Sequence, residues 1–219
     1  MKSSFPFIMK TTAFVTAILT AILAAACLFF HWDWMLDAAI STGTTAYHFL
    51  MRLAVGYAVP LLTGYDFDYR KPWFQPRTWE TALYKKLKLK SWKGKLPTYA
   101  PGQFSMAENS LHRIIQNMCG AEIVHEIIMV LSFLPLLAVP VFGAFPVFLI
   151  TSVLAALFDG VFVMAQRYNR PRLVRILEKK ENMVTIEFEN GERKYFYGLG
   201  VDVDYDGVVP EGFVLTEAR

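Results

Sequence analysis

Long uncharged apolar runs separate shorter polar stretches along this chain, and these runs predict transmembrane helices. Thr11–Phe30 contains no charged residue, and at about 1.5 Å per residue it can cross a hydrocarbon core of roughly 30 Å. Ile127–Phe158 is also uncharged, and the sequence PVFGAFP at its centre (Pro140–Pro146) predicts a tight turn. The pattern therefore predicts an antiparallel transmembrane hairpin formed by Ala121–Val139 and Ala144–Ala165.

The segment Ser41–Leu62 is a more ambiguous candidate for a span. It contains His48 and Arg52, which are four residues apart and therefore share one face of a helix. Ionisable groups inside a bilayer are rare and usually face the interior of the helix bundle. The segment is therefore either a span with an inward polar face or a helix that lies on the membrane surface.

Composition and charge place the protein in a membrane and indicate its orientation. Of 219 residues, 54% are hydrophobic and 19% are charged, and the mean hydropathy of +0.33 is too high for an ordinary soluble domain. If the N-terminus is inside, the outer segments His31–Ile40 and Val139–Gly143 contain no lysine or arginine, and only Arg52 lies within a span. The positive-inside rule then predicts four spans, with both termini in the cytoplasm.

The predicted fold class is an all-α integral membrane protein with about four transmembrane helices, a cytoplasmic amphipathic loop and a small C-terminal β-hairpin. Five segments follow from this prediction: an N-terminal transmembrane pair (1–63), a basic and aromatic interfacial loop (64–120), a transmembrane hairpin (121–166), a basic cytoplasmic helix (167–182) and a β-hairpin tail (183–219). The hairpin in the tail is indicated by two alternating runs, Val184–Phe188 and Glu192–Tyr197, around Asn190-Gly191.

The predicted cytoplasmic loop has the composition of a surface that contacts lipid. Asp66–Lys95 is rich in lysine and arginine, and its aromatic residues are interleaved with them: Trp73, Phe74, Trp79, Tyr84 and Trp92. Basic residues mixed with aromatic ones are typical of segments that lie on anionic head groups. The same mixture occurs in nucleic-acid-binding proteins, but this loop is tethered close to the bilayer on both sides. We therefore expect membrane lipids, and no nucleic acid, as its partners.

An arginine cluster follows the last apolar run. QRYNRPRL (Gln166–Leu173) contains Arg167, Arg170 and Arg172. The planar guanidinium group suits phosphate and carboxylate groups, so the cluster could hold an anionic head group or a phosphorylated donor. The alternative is a stop-transfer anchor, because basic residues flank most cytoplasmic helix ends.

Glu122, His125 and Glu126 form a second candidate site at the start of the third predicted span. Their spacing puts Glu122 beside both other residues on the helix surface, and Asp159 lies at a similar depth on the partner helix. A carboxylate can fix the tautomer of a histidine and leave its other nitrogen free to accept a proton. His125 could thus deprotonate a hydroxyl group of a lipid-dissolved acceptor. Alternatively, His125 is a structural residue paired with Glu122 at the wet interface.

Four motifs resemble those of one known family. WKGKLP (Trp92–Pro97), AEIVH (Ala121–His125) and QRYNRPRL occur in this order, and YDFDYRKPWF (Tyr65–Phe74) precedes them. Together they are similar to the glycosyl-4,4'-diaponeurosporenoate acyltransferase family, over about Tyr65–Leu177. The resemblance implies a bacterial cell-membrane enzyme that esterifies the sugar of a glycosylated carotenoid with a fatty acid.

The resemblance also implies roles for individual residues. The acyl group would come from a thioester donor, acyl-CoA or acyl carrier protein, with no further cofactor and no metal. No serine or cysteine is placed to act as a nucleophile, which favours direct transfer over an acyl-enzyme. The expected catalytic pair is His125 with Glu122, supported by Asp159 and Glu126. The residues expected to bind the donor and its phosphate are Arg167, Asn169, Arg170, Arg172, Trp92 and Lys93.

Two other functions fit parts of the pattern. A small helical membrane methyltransferase would use the arginines after the last span to hold an anionic cofactor. A membrane adaptor without catalytic activity would bind anionic lipid through the basic loop and a partner protein through the C-terminal hairpin.

Overall fold

The computed structural model describes residues 4–30 and 32–181, together with strand segments at 183–188, 193–197 and 213–215. The α-helices of this part are α1 (Phe5–Phe30), α2 (Asp33–Thr63), α3 (Thr78–Lys86), α4 (Leu89–Trp92), α5 (Leu111–Leu131), α6 (Val139–Phe142) and α7 (Phe145–Glu181). Short 3-10 turns occupy Pro72–Phe74, Lys93–Lys95, Pro101–Phe104 and Leu134–Ala138. The chain forms two compact units, Met1–Arg170 and Pro171–Arg219.

Three segments of the described chain are long and apolar enough to cross a membrane: α1, Leu111–Phe142 and α7. Each exposes large apolar side chains, such as Phe14 on α1, Val130 on α5 and Leu157 on α7. Exposed apolar faces on this scale are expected where lipid is the solvent. The prediction of a multi-pass membrane protein is confirmed. The sequence predicted about four spans, and the remaining candidate is α2. This helix has 31 residues but is not among the three apolar segments.

The third predicted span starts earlier than expected. The sequence predicted a span from Ala121, but α5 is continuous from Leu111. Its polar residues near this end are buried because the preceding loop supplies their partners. The Gln116 Oε1 atom accepts the backbone N–H of Phe67 at 2.6 Å, and the Asn117 amide similarly donates to a loop carbonyl.

The predicted turn between the last two spans is confirmed. Helix α6 ends at Phe142 and α7 begins at Phe145. Between them, Gly143 and Ala144 have φ values of 72° and 33°, in the left-handed region that glycine favours. Helix α7 then continues without a break to Glu181, a length of about 55 Å. The basic helix predicted over 167–182 is therefore a continuation of the last span.

Helix α2 packs between α1 and α5. Toward α1, Thr20 Oγ1 donates to Thr42 Oγ1 at 3.0 Å. Toward α5, a buried apolar cluster joins three residues of α2 and one of the loop after it to the C-terminal half of α5: Met51, Val55, Val59, Tyr65, Val124 and Ile128. The Tyr47 hydroxyl donates to the Leu131 carbonyl at 2.8 Å. Tyr47, in the middle of α2, thus meets the end of α5, whereas Tyr65, just after α2, lies beside Gly120 nearer the start of α5, so the two helices are antiparallel.

Helices α5 and α7 are antiparallel as well. Glu122 of α5 contacts Arg167 of α7, whereas Met129, two turns later on α5, lies beside Gly160. Since α2 and α7 are both antiparallel to α5, they run parallel to each other. This arrangement brings one face each of α2, α5 and α7 together.

The second unit contains three strands, β1 (Met183–Phe188), β2 (Arg193–Tyr197) and β3 (Phe213–Leu215), in the order β2-β1-β3. Strands β1 and β2 pair antiparallel, from Met183 opposite Tyr197 to Glu187 opposite Arg193. This is the pairing that the predicted hairpin requires, although its Asn190-Gly191 turn lies outside the described residues. Strand β3, which the sequence did not predict, pairs with the other edge of β1.

Candidate active site

His125 contacts a buried carboxylate on the neighbouring helix. Its Nδ1 atom lies 2.8 Å from Oδ1 of Asp159, and the side chains of the two residues are 23% and 1% exposed. Because an ionised carboxylate only accepts hydrogen bonds, Nδ1 carries the ring hydrogen and donates a hydrogen bond to Asp159. The lone pair of the imidazole is then on Nε2. This is the tautomer that a general base requires.

Arg52 fixes the other side of the Asp159 carboxylate. One guanidinium nitrogen donates to Asp159 Oδ2 at 2.5 Å and to the Ala155 carbonyl at 3.2 Å, while the other donates to the His48 carbonyl. The arginine therefore places an opposite charge directly beside the buried carboxylate, as a buried charge requires. We call Arg52, His125 and Asp159 the His125 cluster.

Aromatic packing sets the orientation of the His125 ring. The ring stacks on Phe162, with centroids 4.7 Å apart and planes within 9°. Phe158 packs edge-on against Phe162 at 5.1 Å. Helix α7 therefore provides both the carboxylate that binds the imidazole and the ring that holds its plane, which limits the directions in which Nε2 can point.

The expected contact between Glu122 and His125 is replaced by a different pairing. Glu122 is completely buried, and its two oxygens accept from Arg167, at 2.7 Å, and from Arg170. Neighbouring positions on one helix do not determine where side chains point. The partner of His125 is Asp159, which was predicted only to support the pair, and Glu122 belongs to a separate ionic cluster.

That second group comprises Glu80, Glu122, Arg167 and Arg170, and we call it the Glu122 cluster. Every nitrogen of the Arg167 guanidinium has acceptors within the protein. Its Nε donates to Glu80 at 2.9 Å, and its terminal nitrogens donate to Glu122 and to the carbonyls of Trp73 and Gln75. Arg167 thus attaches the loop after α2 to helices α3 and α5.

Arg170 has the same kind of environment. It is almost fully buried, donates to Glu122 and to the Phe74 carbonyl, and lies over the Phe74 ring at 5.0 Å. The contact with a donor's phosphate that the sequence suggested for Arg167 and Arg170 is replaced here by internal ion pairs. Both side chains bind carboxylates and carbonyls of their own chain, as buried arginines must.

Glu80 completes this cluster from helix α3. The Tyr84 hydroxyl donates to its second oxygen at 3.3 Å. Burial, followed by the negative charge of Glu80, raises the pKa of Tyr84 to about 12. The phenol therefore stays protonated at physiological pH and remains a donor to the carboxylate.

The remaining predicted site residues are Glu126, Trp92, Lys93, Asn169 and Arg172. Glu126 accepts from the Trp73 indole at 3.0 Å, and the Trp92 indole donates to the Leu87 carbonyl at 2.8 Å. Lys93 donates to the Asn169 side chain and lies over the Tyr168 ring at 4.9 Å. Arg172 belongs to the second unit. Asn169 and Lys93 are therefore brought together, whereas the Trp92 indole is hydrogen-bonded to its own loop.

Two residues of the clusters were not predicted as site residues. Arg52 was noticed only as a charge within an uncertain span, although its i, i+4 spacing from His48 marked an inward polar face. Glu80 is an acidic residue within an otherwise basic segment, and that contrast was the available signal for a buried ion pair. The partners of both lie far away in the sequence, so no local pattern connects them.

This arrangement can perform base-catalysed chemistry at one position. The His125 ring is partly exposed, has a fixed tautomer, and is supported by a buried carboxylate that is itself held by an arginine. An imidazole of this kind can remove a proton from a hydroxyl group as that group attacks an acyl carbon. The Glu122 cluster, in contrast, is closed to ligands by its own contacts.

Comparison with known proteins identifies a family. The model of the glycosyl-4,4'-diaponeurosporenoate acyltransferase family matches residues 70–179, just over half of the chain. No curated protein and no solved structure gave a match. The matched residues include the described members of both clusters except Arg52. The chain therefore belongs to the glycosyl-4,4'-diaponeurosporenoate acyltransferase family, whose members transfer an acyl group to a glycosyl carotenoid acceptor.

Proposed function

We propose that this protein transfers a fatty acyl group from a thioester donor to a sugar hydroxyl of a glycosylated carotenoid, with His125 as the general base. The observation that carries the proposal is the hydrogen bond between His125 and the buried Asp159 carboxylate. Membership of an acyltransferase family argues against the methyltransferase and adaptor alternatives.

In the proposed reaction, His125 Nε2 accepts the proton of the sugar hydroxyl while its oxygen attacks the thioester carbonyl carbon. The carbon–sulfur bond breaks as the tetrahedral intermediate collapses, and the thiolate leaves. The imidazolium, stabilised by Asp159, then returns the proton to the thiolate. Arg52 binds the other oxygen of the Asp159 carboxylate. The products are the sugar ester and the free thiol of the donor.

The donor is proposed to be acyl-CoA or acyl carrier protein. Because Arg167 and Arg170 already have internal partners, we assign the binding of the donor's anionic part to exposed basic residues of the α3–α4 region. These are Lys85, Lys86, Lys88, Lys90 and Lys95. Exposed lysines can bind phosphate as point charges without breaking an internal ion pair.

We further propose that α2 crosses the membrane as a fourth span and that both termini are cytoplasmic. The inward position of Arg52, which is paired with Asp159 of the apolar helix α7, supports this for α2. A charged residue at membrane depth is stabilised in this way by a partner within the bundle. The absence of lysine and arginine from 31–40 and 139–143 supports the orientation.

The proposal is tested by reconstituting the protein in lipid vesicles with a glycosylated carotenoid and palmitoyl-CoA. Mass spectrometry of the extracted lipids should find the mass increment of one acyl ester with the intact protein. Truncation after Lys180 removes the strands and should leave ester formation within a few-fold of normal. If the intact protein yields no ester with either acyl-CoA or acyl carrier protein as donor, the proposed reaction is wrong.

A further inference from the structure

A group of buried polar atoms without partners lies close to the His125 cluster. The side chains of His48 on α2 and Ser152 on α7 are 6% and 0% exposed. Within the described part of the chain, both ring nitrogens of His48, the Ser152 hydroxyl and Nε of Arg52 have no hydrogen-bond partner. Buried polar groups are nearly always paired in native proteins, so each of these atoms calls for an explanation.

These atoms face one region between α2 and α7. Arg52 donates to Ala155 and Asp159 of α7, which fixes the level at which the two helices meet. His48 lies one turn before Arg52, and Ser152 lies about one turn before Ala155. Because α2 and α7 run parallel, His48 and Ser152 are at the same level and on the same side of the Arg52–Asp159 pair. His48 also interacts electrostatically with both of these charges.

The Ser152 hydroxyl differs from its neighbours. Hydroxyl groups in apolar helices usually donate to the carbonyl four residues earlier. Thr151 does so to Val147 at 2.7 Å, and Ser132 does so to Ile128 at 2.8 Å. Ser152 makes no such bond, although the same carbonyl row runs beneath it. Its hydroxyl is therefore left to bind something other than its own helix.

The chemistry of the unpartnered atoms restricts what they can bind. The Nε–H of Arg52 can only donate, the Ser152 hydroxyl can donate or accept, and a neutral His48 donates from one nitrogen and accepts at the other. An anion could not donate to His48, and it would also lie near the Asp159 carboxylate, which repels it. A neutral group with several hydroxyls, each able to donate and accept, matches all of these atoms.

We infer that His48, Arg52 and Ser152 bind the hydroxyl groups of the acceptor's sugar, next to the imidazole of His125. This inference rests on the proposed function and adds to it the subsite for the acceptor. Asp159 links the two parts, because it binds Arg52 with one oxygen and His125 with the other. A sugar ring held at the subsite would present another hydroxyl toward His125.

The first test measures binding without catalysis. The intact protein in lipid nanodiscs is titrated with n-octyl glucoside below its micelle concentration, and with an octyl tetraethylene glycol ether as the sugar-free control. We expect the glucoside to raise the unfolding temperature more than the ether. Ser152→Ala and His48→Leu should each weaken glucoside binding about 5- to 10-fold, the effect of one lost neutral hydrogen bond.

Thr151→Val provides the matched control. It removes a hydroxyl from the adjacent position of the same helix, but that hydroxyl bonds to its own backbone. The Thr151→Val protein should bind the glucoside as the intact protein does. Equal glucoside affinity in the Ser152→Ala, His48→Leu and Thr151→Val proteins would overturn the inference, and so would equal stabilisation of the intact protein by glucoside and ether. If His48→Leu does not fold, the smaller Ser152→Ala change decides.

A kinetic test separates this inference from the proposed function. Ser152→Ala should raise the KM for the glycosylated acceptor about 5- to 10-fold and change the donor KM much less. If ester forms but the acceptor KM is the same in the Ser152→Ala and His48→Leu proteins, the sugar subsite is wrong and the reaction stands. If glucoside binding depends on Ser152 but the intact protein forms no ester, the subsite stands and the proposed reaction is wrong.

Discussion

Two buried carboxylates on adjacent helices, Glu122 and Asp159, are each bound by arginine, but their surroundings differ. Glu122 is enclosed by Arg167 and Arg170, which also donate to Glu80 and to loop carbonyls. Asp159 is bound by Arg52 and by the partly exposed His125, and Arg52 keeps one donor unpartnered within the described chain. A closed set of ion pairs fixes structure, whereas a set that ends in an accessible imidazole can take part in a reaction. The comparison assigns stability to the Glu122 cluster and chemistry to the His125 cluster.

The largest effect is expected at His125. Replacing His125 with Ala should lower the rate of ester formation about 10²- to 10⁴-fold, because the general base is removed. The unfolding temperature should change little, since the ring is partly exposed. His112→Ala is the matched control, because His112 is an exposed histidine of the same helix and should support normal turnover. Near-normal turnover of the His125→Ala protein would place the base elsewhere.

Glu122→Gln should lower the stability of the folded protein. Removing one partner of a buried ion pair leaves uncompensated charge, which costs about 3–5 kcal/mol. We expect a lower yield of folded protein and a lower denaturation midpoint, while the protein that does fold keeps its KM for the acceptor. A Glu122→Gln protein that is fully stable but inactive would reverse the assignment and return Glu122 to the catalytic pair.

Asp159→Asn should lower both the rate and the stability, because it weakens the support of His125 and also leaves Arg52 without its carboxylate. A hydrogen bond to a charged group contributes about 1.5–3 kcal/mol, which corresponds to a loss of about 10- to 100-fold in kcat. The amide can no longer stabilise the imidazolium that forms during the reaction. The measurement is the ratio of kcat to that of the intact protein at saturating donor and acceptor. Unchanged kcat would show that His125 works without this carboxylate.

The smallest effects are expected at two glycines, one near each cluster. A Cβ at Gly120, near the Glu122 cluster, would overlap the ring of Tyr65, whereas one at Gly160, beside Asp159, would reach only the end of Met129 at 3.5 Å. Gly120→Ala should therefore destabilise the fold by about 1–3 kcal/mol. Gly160→Ala should be tolerated, and alanine favours helix there. Equal denaturation midpoints for the two variants would contradict the tight packing around Tyr65.

The sequence predicted the parts of the fold that depend on local pattern. Uncharged apolar runs predicted the long helices, and the sequence PVFGAFP (Pro140–Pro146) predicted the break at Gly143. The span predicted from Ala121 is part of a helix that already begins at Leu111, because the folded loop supplies partners for the polar residues Gln116 and Asn117. Strand β3 is three residues long, too short for an alternating pattern to indicate it.

The candidate site was predicted less completely. The role of His125 as the base stays a prediction, and the family match covers the segment that contains it. Its carboxylate partner was misassigned because spacing along α5 places Glu122 near His125 but does not reveal how α5 and α7 are rotated toward each other. That rotation determines whether Glu122 or Asp159 meets the imidazole. The role of Arg52 depends on the same three-helix contact and has no local signature.

The ion pair between Glu122 and Arg167 joins residues 45 positions apart, which has a consequence for membrane insertion. At roughly 5–20 residues per second of synthesis, Glu122 leaves the ribosome about 2–9 s before Arg167. During that interval the carboxylate has neither of its arginines, and a single helix carrying it would enter lipid at a considerable energetic penalty. We therefore expect α5 to wait near the translocon until α7 has been made, so that the two helices enter the bilayer as a pair.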